Sequence, residues 1–387
     1  MSDKQVVYHM IQMGCDPELF LEQGGQIIGA EKVIPEKGLG TSMYDAAKGK
    51  LKPSIVLDGV QVELNPAPSH CRAYLGNNIK QSFRILQGHL KGMKDIKASF
   101  RSVIEVGEAE FDSLGDKAKA LGCMPSLNHY DKAASVSVDP NTFRQRSAGG
   151  HIHVGLAIYT PHIMAHREEL VPLMDVLVGL PSVLDDRDPL AAERRKIYGR
   201  AGEHRLPTHG VEYRTLSNYW IRSYQLMSFV MGLTRLATSV LGTKYFKSKP
   251  EGIGVQTGYA TYVNSWDAPK ELLKDVDLEA VRLAINTNDF VLAKQAYVPV
   301  REFIHKHVPE QDFGLNKGNL DNFDYFVDRI QTDGLPFWFP QDPVEHWSNM
   351  PEGHSGYGWE NFLSEHVAVI EEGNKSHFKV KYGANSY

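Results

Sequence analysis

The chain has 387 residues, 42% hydrophobic and 23% charged, with a net charge of −5. At roughly 150 residues per domain that length predicts two to three domains or one large one, and the composition excludes intrinsic disorder and collagen-like or coiled-coil architectures. The 42 basic residues against 47 acidic ones argue against direct contact with duplex nucleic acid, which calls for a basic patch. Cys15, Cys71 and Cys123 are far apart and form no C-x-x-C pair, so a disulfide framework or zinc knuckle is not expected and a reducing compartment is. The first residues lack an apolar signal region. The longest apolar stretch, 226–241, contains Arg235 and reads as a buried helix rather than a membrane span. A cytoplasmic protein is expected.

In chain order, residues 8–22 read as two extended runs around Gly14-Cys15-Asp16-Pro17-Glu18. Residues 26–30 return as a hairpin strand, turned at Gly24-Gly25. Residues 29–52, rich in Gly, Pro and Lys, form a loop that is either a lid over a site or a surface excursion. Residues 55–65 are a further strand, ended by Pro66 and Pro68. Ile79, Phe83, Leu86, Leu90 and Met93 recur at helical spacing and predict an amphipathic helix. Residues 111–146 are mixed short elements, 151–158 a strand, 161–180 a second amphipathic helix and 211–216 a strand. Helix resumes after Trp220 to about 245, and 278–285 and 289–305 are two more helices. Residues 332–359, dense in Pro, Gly and aromatics, predict an irregular packed cap rather than a free linker. The fold class is α+β with a mainly antiparallel sheet. The expected division is a catalytic sheet core over 1–222 and a helical, aromatic-rich part over 223–387 that packs on the core without being an independent domain.

Four strand-like segments carry acidic, amide or basic groups at i and i+2, which places each pair on one strand face. They are Asp16 with Glu18, Gln61 with Glu63, His151 with His153 after Ala148-Gly149-Gly150, and Glu212 with Arg214. One such pair alone is ordinarily a solvated face or a cross-strand ion pair. Four of them, bounded by Gly or Pro, point to a shared polar surface. Like charges buried together are costly unless a cation neutralises them. Carboxylates with an imidazole suit Mg²⁺ or Mn²⁺ better than a thiolate-seeking metal, and carboxylate-bound Mg²⁺ commonly holds nucleotide phosphates.

At these residues the chain resembles the carboxylate–amine ligases of the glutamine-synthetase-like superfamily. It is most similar to the phage-type carboxyl–amine ligase (amidoligase) type 2 group, relatives of γ-glutamylcysteine ligase. The motifs are Gly14-Cys15-Asp16-Pro17-Glu18-Leu19-Phe20, Asp58-Gly59-Val60-Gln61-Val62-Glu63-Leu64-Asn65, and Arg146-Ser147-Ala148-Gly149-Gly150-His151-Ile152-His153-Val154-Gly155. They end with Tyr198-Gly199-Arg200-Ala201-Gly202, His204-Arg205 and His209-Gly210-Val211-Glu212-Tyr213-Arg214-Thr215-Leu216-Ser217-Asn218. The resemblance implies a curved, mainly antiparallel sheet with helices on its convex face. It also implies ATP bound with divalent cations, and amide or peptide bond formation through an acyl phosphate.

Carried over by motif, Asp16, Glu18, Glu63, His151 and Glu212 are the expected metal ligands. His153, Arg146 and Arg200 are expected to place the nucleotide, and Arg205 and Arg214 to act on phosphates or the substrate carboxylate, for which planar bidentate donors are suited. The implied substrates are a small-molecule or peptide carboxylate and an amine. Glutamine synthetases carry a small domain ahead of the first metal strand; with that strand at Asp16, a ring assembly with shared sites is not expected. A further metal-binding glutamate near the second strand has no counterpart, and Gln61, on the same face, offers only a neutral oxygen. Two other functions stay open on the residues: a metal-dependent hydrolase using the same centre, and a non-catalytic nucleotide-binding relative. The arginines near the motifs favour the ligase, because phosphoryl transfer depends on neutralising oxygen charge.

Overall fold

The computed structural model describes residues 12–45, 49–69, 72–120, 126–131, 138–156, 161–186, 188–245, 267–307 and 340–350, with positions 323, 324 and 327 and two short strands near the C-terminus. The fold is α+β, with antiparallel sheets that include one strongly curled half-barrel and a mostly helical C-terminal region.

The two larger sheets part at Asp16-Pro17. Strand β1 (Gln12–Cys15) and strand β2 (Glu18–Gln23) flank this pair, and Pro17 has no N–H to give to a neighbouring strand. On one side β1 pairs with β12 (Ile152–Gly155), β12 with β14 (Gly210–Tyr213), β14 with β13 (Glu203–Arg205), and β13 with β10 (Leu127–Asn128). On the other side β2 pairs with β7 (Gln61–Leu64), and β7 with β6 (Ile55–Asp58). β2 also takes β3 (Gln26–Ile28) and β8 (Ile96–Ser99). Backbone bonds from Glu18 N to the Gly149 carbonyl (2.9 Å) and from Leu64 N to the Pro17 carbonyl (2.9 Å) bridge the two halves across the kink.

Register then sorts the side chains. Gly14 pairs His153, His153 pairs Glu212, and Glu212 pairs Arg205. One residue along, Cys15, Ile152, Tyr213 and His204 are paired and buried. Period-two alternation thus gives one face to polar groups and the other to the core. Against the apolar face lie the helix Arg72–Leu90, which buries Leu75, Ile79, Phe83 and Leu86, and the helix Tyr224–Tyr245.

Most expected elements are found with shifted ends, and two differ in kind. Residues 55–65 are a hairpin, not one strand: Gly59 adopts φ +57° in the turn, a left-handed conformation that glycine takes without a Cβ penalty. The expected helix over 161–180 is broken into Pro161–Ala165, a 3-10 turn Arg167–Glu169, Leu170–Met174, a π turn Asp175–Gly179 and Leu180–Asp185. Pro172 and Pro181 each remove an amide donor from this run, and the π turn directly precedes the segment that carries Pro181. The loop at 29–52 carries a small hairpin, β4 (Met43–Asp45) with β5 (Lys50–Lys52).

An additional helix, Ala268–Lys274, precedes the two expected ones, which are found at Leu278–Thr287 and Phe290–His307. The predicted aromatic cap lies mostly outside the described residues. Its helix Pro343–Asn349 is described, and there Trp347 is fully buried, stacked on Phe83 at 5.7 Å between ring centroids. Among the described residues no helix is long and apolar enough to cross a membrane.

Candidate functional site

Two acidic groups lie on the polar face, one on either side of the kink. The first is Asp16, His151 and Glu212, whose donor atoms all lie within 4.8 Å of one another. His151 Nδ1 is 3.1 Å from Asp16 Oδ1 and 3.9 Å from Glu212 Oε1, and His153 Nε2 is 3.1 Å from Asp16 Oδ2. The second is Glu18, Asp58 and Glu63, again within 4.8 Å. Glu18 and Glu63 are direct cross-strand partners, and the β6–β7 hairpin delivers Asp58 beside them.

Burial dominates the electrostatics. It raises Glu63 well above the ordinary carboxylate range, and the charges of Asp16, Glu18, Asp58 and Glu212 raise it further. Burial and then Glu18 push Asp58 up to about 6. Asp16 runs the other way: burial would raise it, but the charges and hydrogen bonds of His153 and His151 outweigh that and hold it well below the usual value. Asp16 Oδ1 and Glu212 Oε1 are buried oxygens; the first lies 3.1 Å from a ring nitrogen of His151 and the second 3.1 Å from the Arg214 guanidinium. Crowded buried carboxylates with an imidazole nitrogen fit a hard divalent cation, which takes such donors at about 2.0–2.6 Å and can bridge this spacing.

Around these groups sits a supporting layer. The Tyr198 hydroxyl is 2.6 Å from His151 Nε2, leaving Nδ1 toward Asp16 and Glu212. Glu18 Oε2 accepts from the Gly149 amide (2.7 Å) and from Gln61 Nε2 (2.5 Å). Gln61 therefore turns its amide nitrogen, not its oxygen, toward the cluster, and the third carboxylate comes from Asp58. The close approach expected at Gly149-Gly150 is present. A Cβ on Gly149 would meet the His151 ring at 2.2 Å, and one on Gly150 would meet the Ser217 carbonyl at 2.3 Å.

The arginines divide. Arg214, almost fully buried, places Nε 3.1 Å from Glu212 Oε1 and lies over the Tyr198 ring. Arg205, partly exposed, is 3.7 Å from the same oxygen. Arg146 is not brought to the carboxylates: its guanidinium donates to the carbonyls of Lys119, Pro140, Phe143 and Gln145 and lies against Phe111. Arg200 pairs with Glu203 at 3.2 Å. Both sit next to the motifs in sequence, but local backbone and a local carboxylate take up their charge.

Asp58, Tyr198 and His209 are the groups that sequence pattern missed. Asp58-Gly59 is itself a hairpin-turn signal. His209 stacks on His153 at 5.7 Å, and burial, then His153, lower it below the ordinary imidazole value. The charge of Lys52, on β5, adds a smaller lowering.

A curled antiparallel sheet that gathers carboxylates, an imidazole and two arginines on one face has the donor set of a divalent-cation centre. Residues 134–309 match the family model described as phage phiEco32-like COOH.NH2 ligase-type 2. Over this span the chain is similar to that family of carboxylate–amine ligases, the resemblance that the motifs carry. The span contains His151, His153, Arg205, Glu212 and Arg214, whereas Asp16, Glu18, Asp58 and Glu63 precede it. No curated protein matches the chain.

Proposed function

We propose that the protein is an ATP-dependent carboxylate–amine ligase that forms an amide or peptide bond through an acyl phosphate. The carrying observation is the pair of acidic groups on one face, Asp16–His151–Glu212 and Glu18–Asp58–Glu63, flanked by Arg214 and Arg205.

In this reading Asp16, His151 and Glu212 hold one Mg²⁺ or Mn²⁺, and Glu18, Glu63 and Asp58 hold a second. Bound cations with ATP supply charge neutralisation on the transferring phosphoryl group. His153 orients the nucleotide. Arg214, fixed by Glu212 and Tyr198, presents its planar donors to phosphate or to the substrate carboxylate, and Arg205 does so from the rim. A carboxylate is a poor electrophile at neutral pH, so activation as an acyl phosphate precedes attack by the neutral amine. Water must be kept out while the acyl phosphate persists. The β4–β5 hairpin, within the loop at 29–52, is the proposed lid.

The test is product analysis with Mg-ATP and pairwise mixtures of carboxylates and amines, including amino acids, polyamines and peptides. ADP and phosphate released only when both an acid and an amine are present support the ligase. ADP without phosphate contradicts it and indicates a kinase-type transfer. Bond cleavage without ATP contradicts it in favour of a metal-dependent hydrolase.

A further inference from the structure

Arg194 is a buried cation to which the ligase reading gives no role. It lies in the helix Ala191–Ile197 and is fully buried, and among the described residues it makes no ion pair. Its Nη1 donates to the Thr215 carbonyl (2.8 Å) and its Nη2 to the Leu216 carbonyl (2.9 Å), while Nε has no hydrogen-bond partner. Burial lowers its pKa, and the fields of Tyr198, Glu18, Glu203 and Asp186 oppose that shift. Arginine nevertheless keeps its charge in the interior. A charged group held there by carbonyls alone is costly, and an apolar side chain could fill the same space without that cost.

Its contacts lead to His151 by two routes. The guanidinium lies over the Tyr198 ring, 5.0 Å from the centroid, and the Tyr198 hydroxyl is 2.6 Å from His151 Nε2. The Leu216 carbonyl that accepts from Arg194 also accepts the Gly150 amide at 3.0 Å, one residue before His151. One side chain thus joins the ring that meets the imidazole to the backbone that carries it. Gly199 makes the space: its φ is +75°, and a Cβ there would overlap the Arg194 guanidinium. Two carbonyls fix the plane of the guanidinium, and a fixed plane can stack on an aromatic ring, which an ammonium cannot do.

We propose that Arg194 is a positioning residue: stacked on Tyr198 and anchored to the Thr215 and Leu216 carbonyls, it holds the Tyr198 hydroxyl on His151 Nε2. The purpose of this clamp rests on the ligase reading, in which Nδ1 of the same ring binds a cation beside Asp16 and Glu212. The clamp itself is a property of the chain without metal, so the two can fail separately.

The test reads His151 directly. The full chain, labelled with ¹⁵N-histidine and kept in chelator, gives ring-nitrogen resonances, and those of His151 are assigned by their loss in His151→Ala. Tyr198→Phe is expected to move the Nε2 resonance. Arg194→Lys, which keeps the charge but not the plane, should move it in the same direction, and the double variant no further than Tyr198→Phe alone. A merely structural loss would instead add to the effect of Tyr198→Phe. Gly199→Ala drives a methyl into the guanidinium while leaving Arg194 in place; it should give the same displacement and guards against misfolding of Arg194→Lys. Melting temperatures check each variant. An unmoved resonance in folded Arg194→Lys or Gly199→Ala, or shifts that simply add, overturns the proposal. Mn²⁺ titration followed by electron paramagnetic resonance is the separate arm, in which Arg194→Lys should bind about tenfold more weakly or worse. Equal affinity in wild type and Arg194→Lys overturns the positioning role, whereas wild type that binds no Mn²⁺ contradicts the metal centre and leaves the resonances to decide the clamp.

Discussion

Tyr198 backs His151: its hydroxyl lies 2.6 Å from Nε2 while Nδ1 of the same ring faces Asp16 at 3.1 Å. A hydrogen bond at the far ring nitrogen fixes both orientation and tautomer, which is how a metal-binding imidazole is usually held. Tyr198→Phe keeps the ring between Arg194 and Arg214 and removes the hydroxyl that reaches His151. Mn²⁺ affinity measured by electron paramagnetic resonance should fall about 10- to 100-fold with the melting temperature little changed. Unchanged affinity would mean that His151 does not bind through Nδ1.

Neutralising one carboxylate of the second group separates folding from binding. Glu63 faces Glu18 across the sheet, and burial with four neighbouring acids disfavours its charge. In chelator, Glu63→Gln should unfold at the same temperature as wild type or higher, because a repulsion is relieved. With Mg²⁺ added, wild type should gain stability by mass action and the variant should gain much less. An equal gain in both would exclude Glu63 as a ligand.

The kink at Asp16-Pro17 explains what could be read from residue order. Period-two pairs survive as a shared face because strand register is set by burial on the opposite side, where Cys15, Ile152 and Tyr213 pack into the core. That logic located Asp16, Glu18, Glu63, His151 and Glu212 together. It could not locate Asp58, which joins them through a turn rather than through a strand period, or Tyr198, which approaches His151 from a different loop. It could not show that Arg146 meets backbone carbonyls and Arg200 meets Glu203, since nearness in sequence says nothing of which carbonyls or carboxylates a guanidinium will meet. The helical break before Pro181 was likewise hidden, because apolar periodicity continues through the π turn.

His346 gives a pH signature away from the site. Burial lowers it to about 4, and its Nε2 accepts from the Tyr224 amide at 3.3 Å, which requires the neutral ring. An imidazole depressed on folding contributes stability above its unfolded value near 6.5, lost as pH falls through the folded value. Denaturant unfolding should therefore show stability declining between pH about 6.5 and 4, by on the order of 3 kcal/mol from this group. His346→Gln should flatten that decline. A slope identical to wild type would remove His346 as its source.

Trp347 ties the C-terminal segment to the sheet core. It stacks on Phe83, donates Nε1 to the Ile221 carbonyl at 2.7 Å, and is fully buried. Trp347→Ala should cost about 3–5 kcal/mol and shift one cooperative transition, if residues 223–387 fold as part of the core. A second, separate transition appearing in the variant would instead mark an independent unit.

In the proposed ligase, ATP is held through divalent cations at the two acidic groups. Titration calorimetry with ATP, in the presence and absence of Mg²⁺, tests this directly on wild type, Glu212→Gln and His151→Ala. The account predicts saturable binding that needs Mg²⁺ and falls at least about tenfold in both variants. Absence of nucleotide binding with any divalent cation, or binding indifferent to Glu212 and His151, would contradict it.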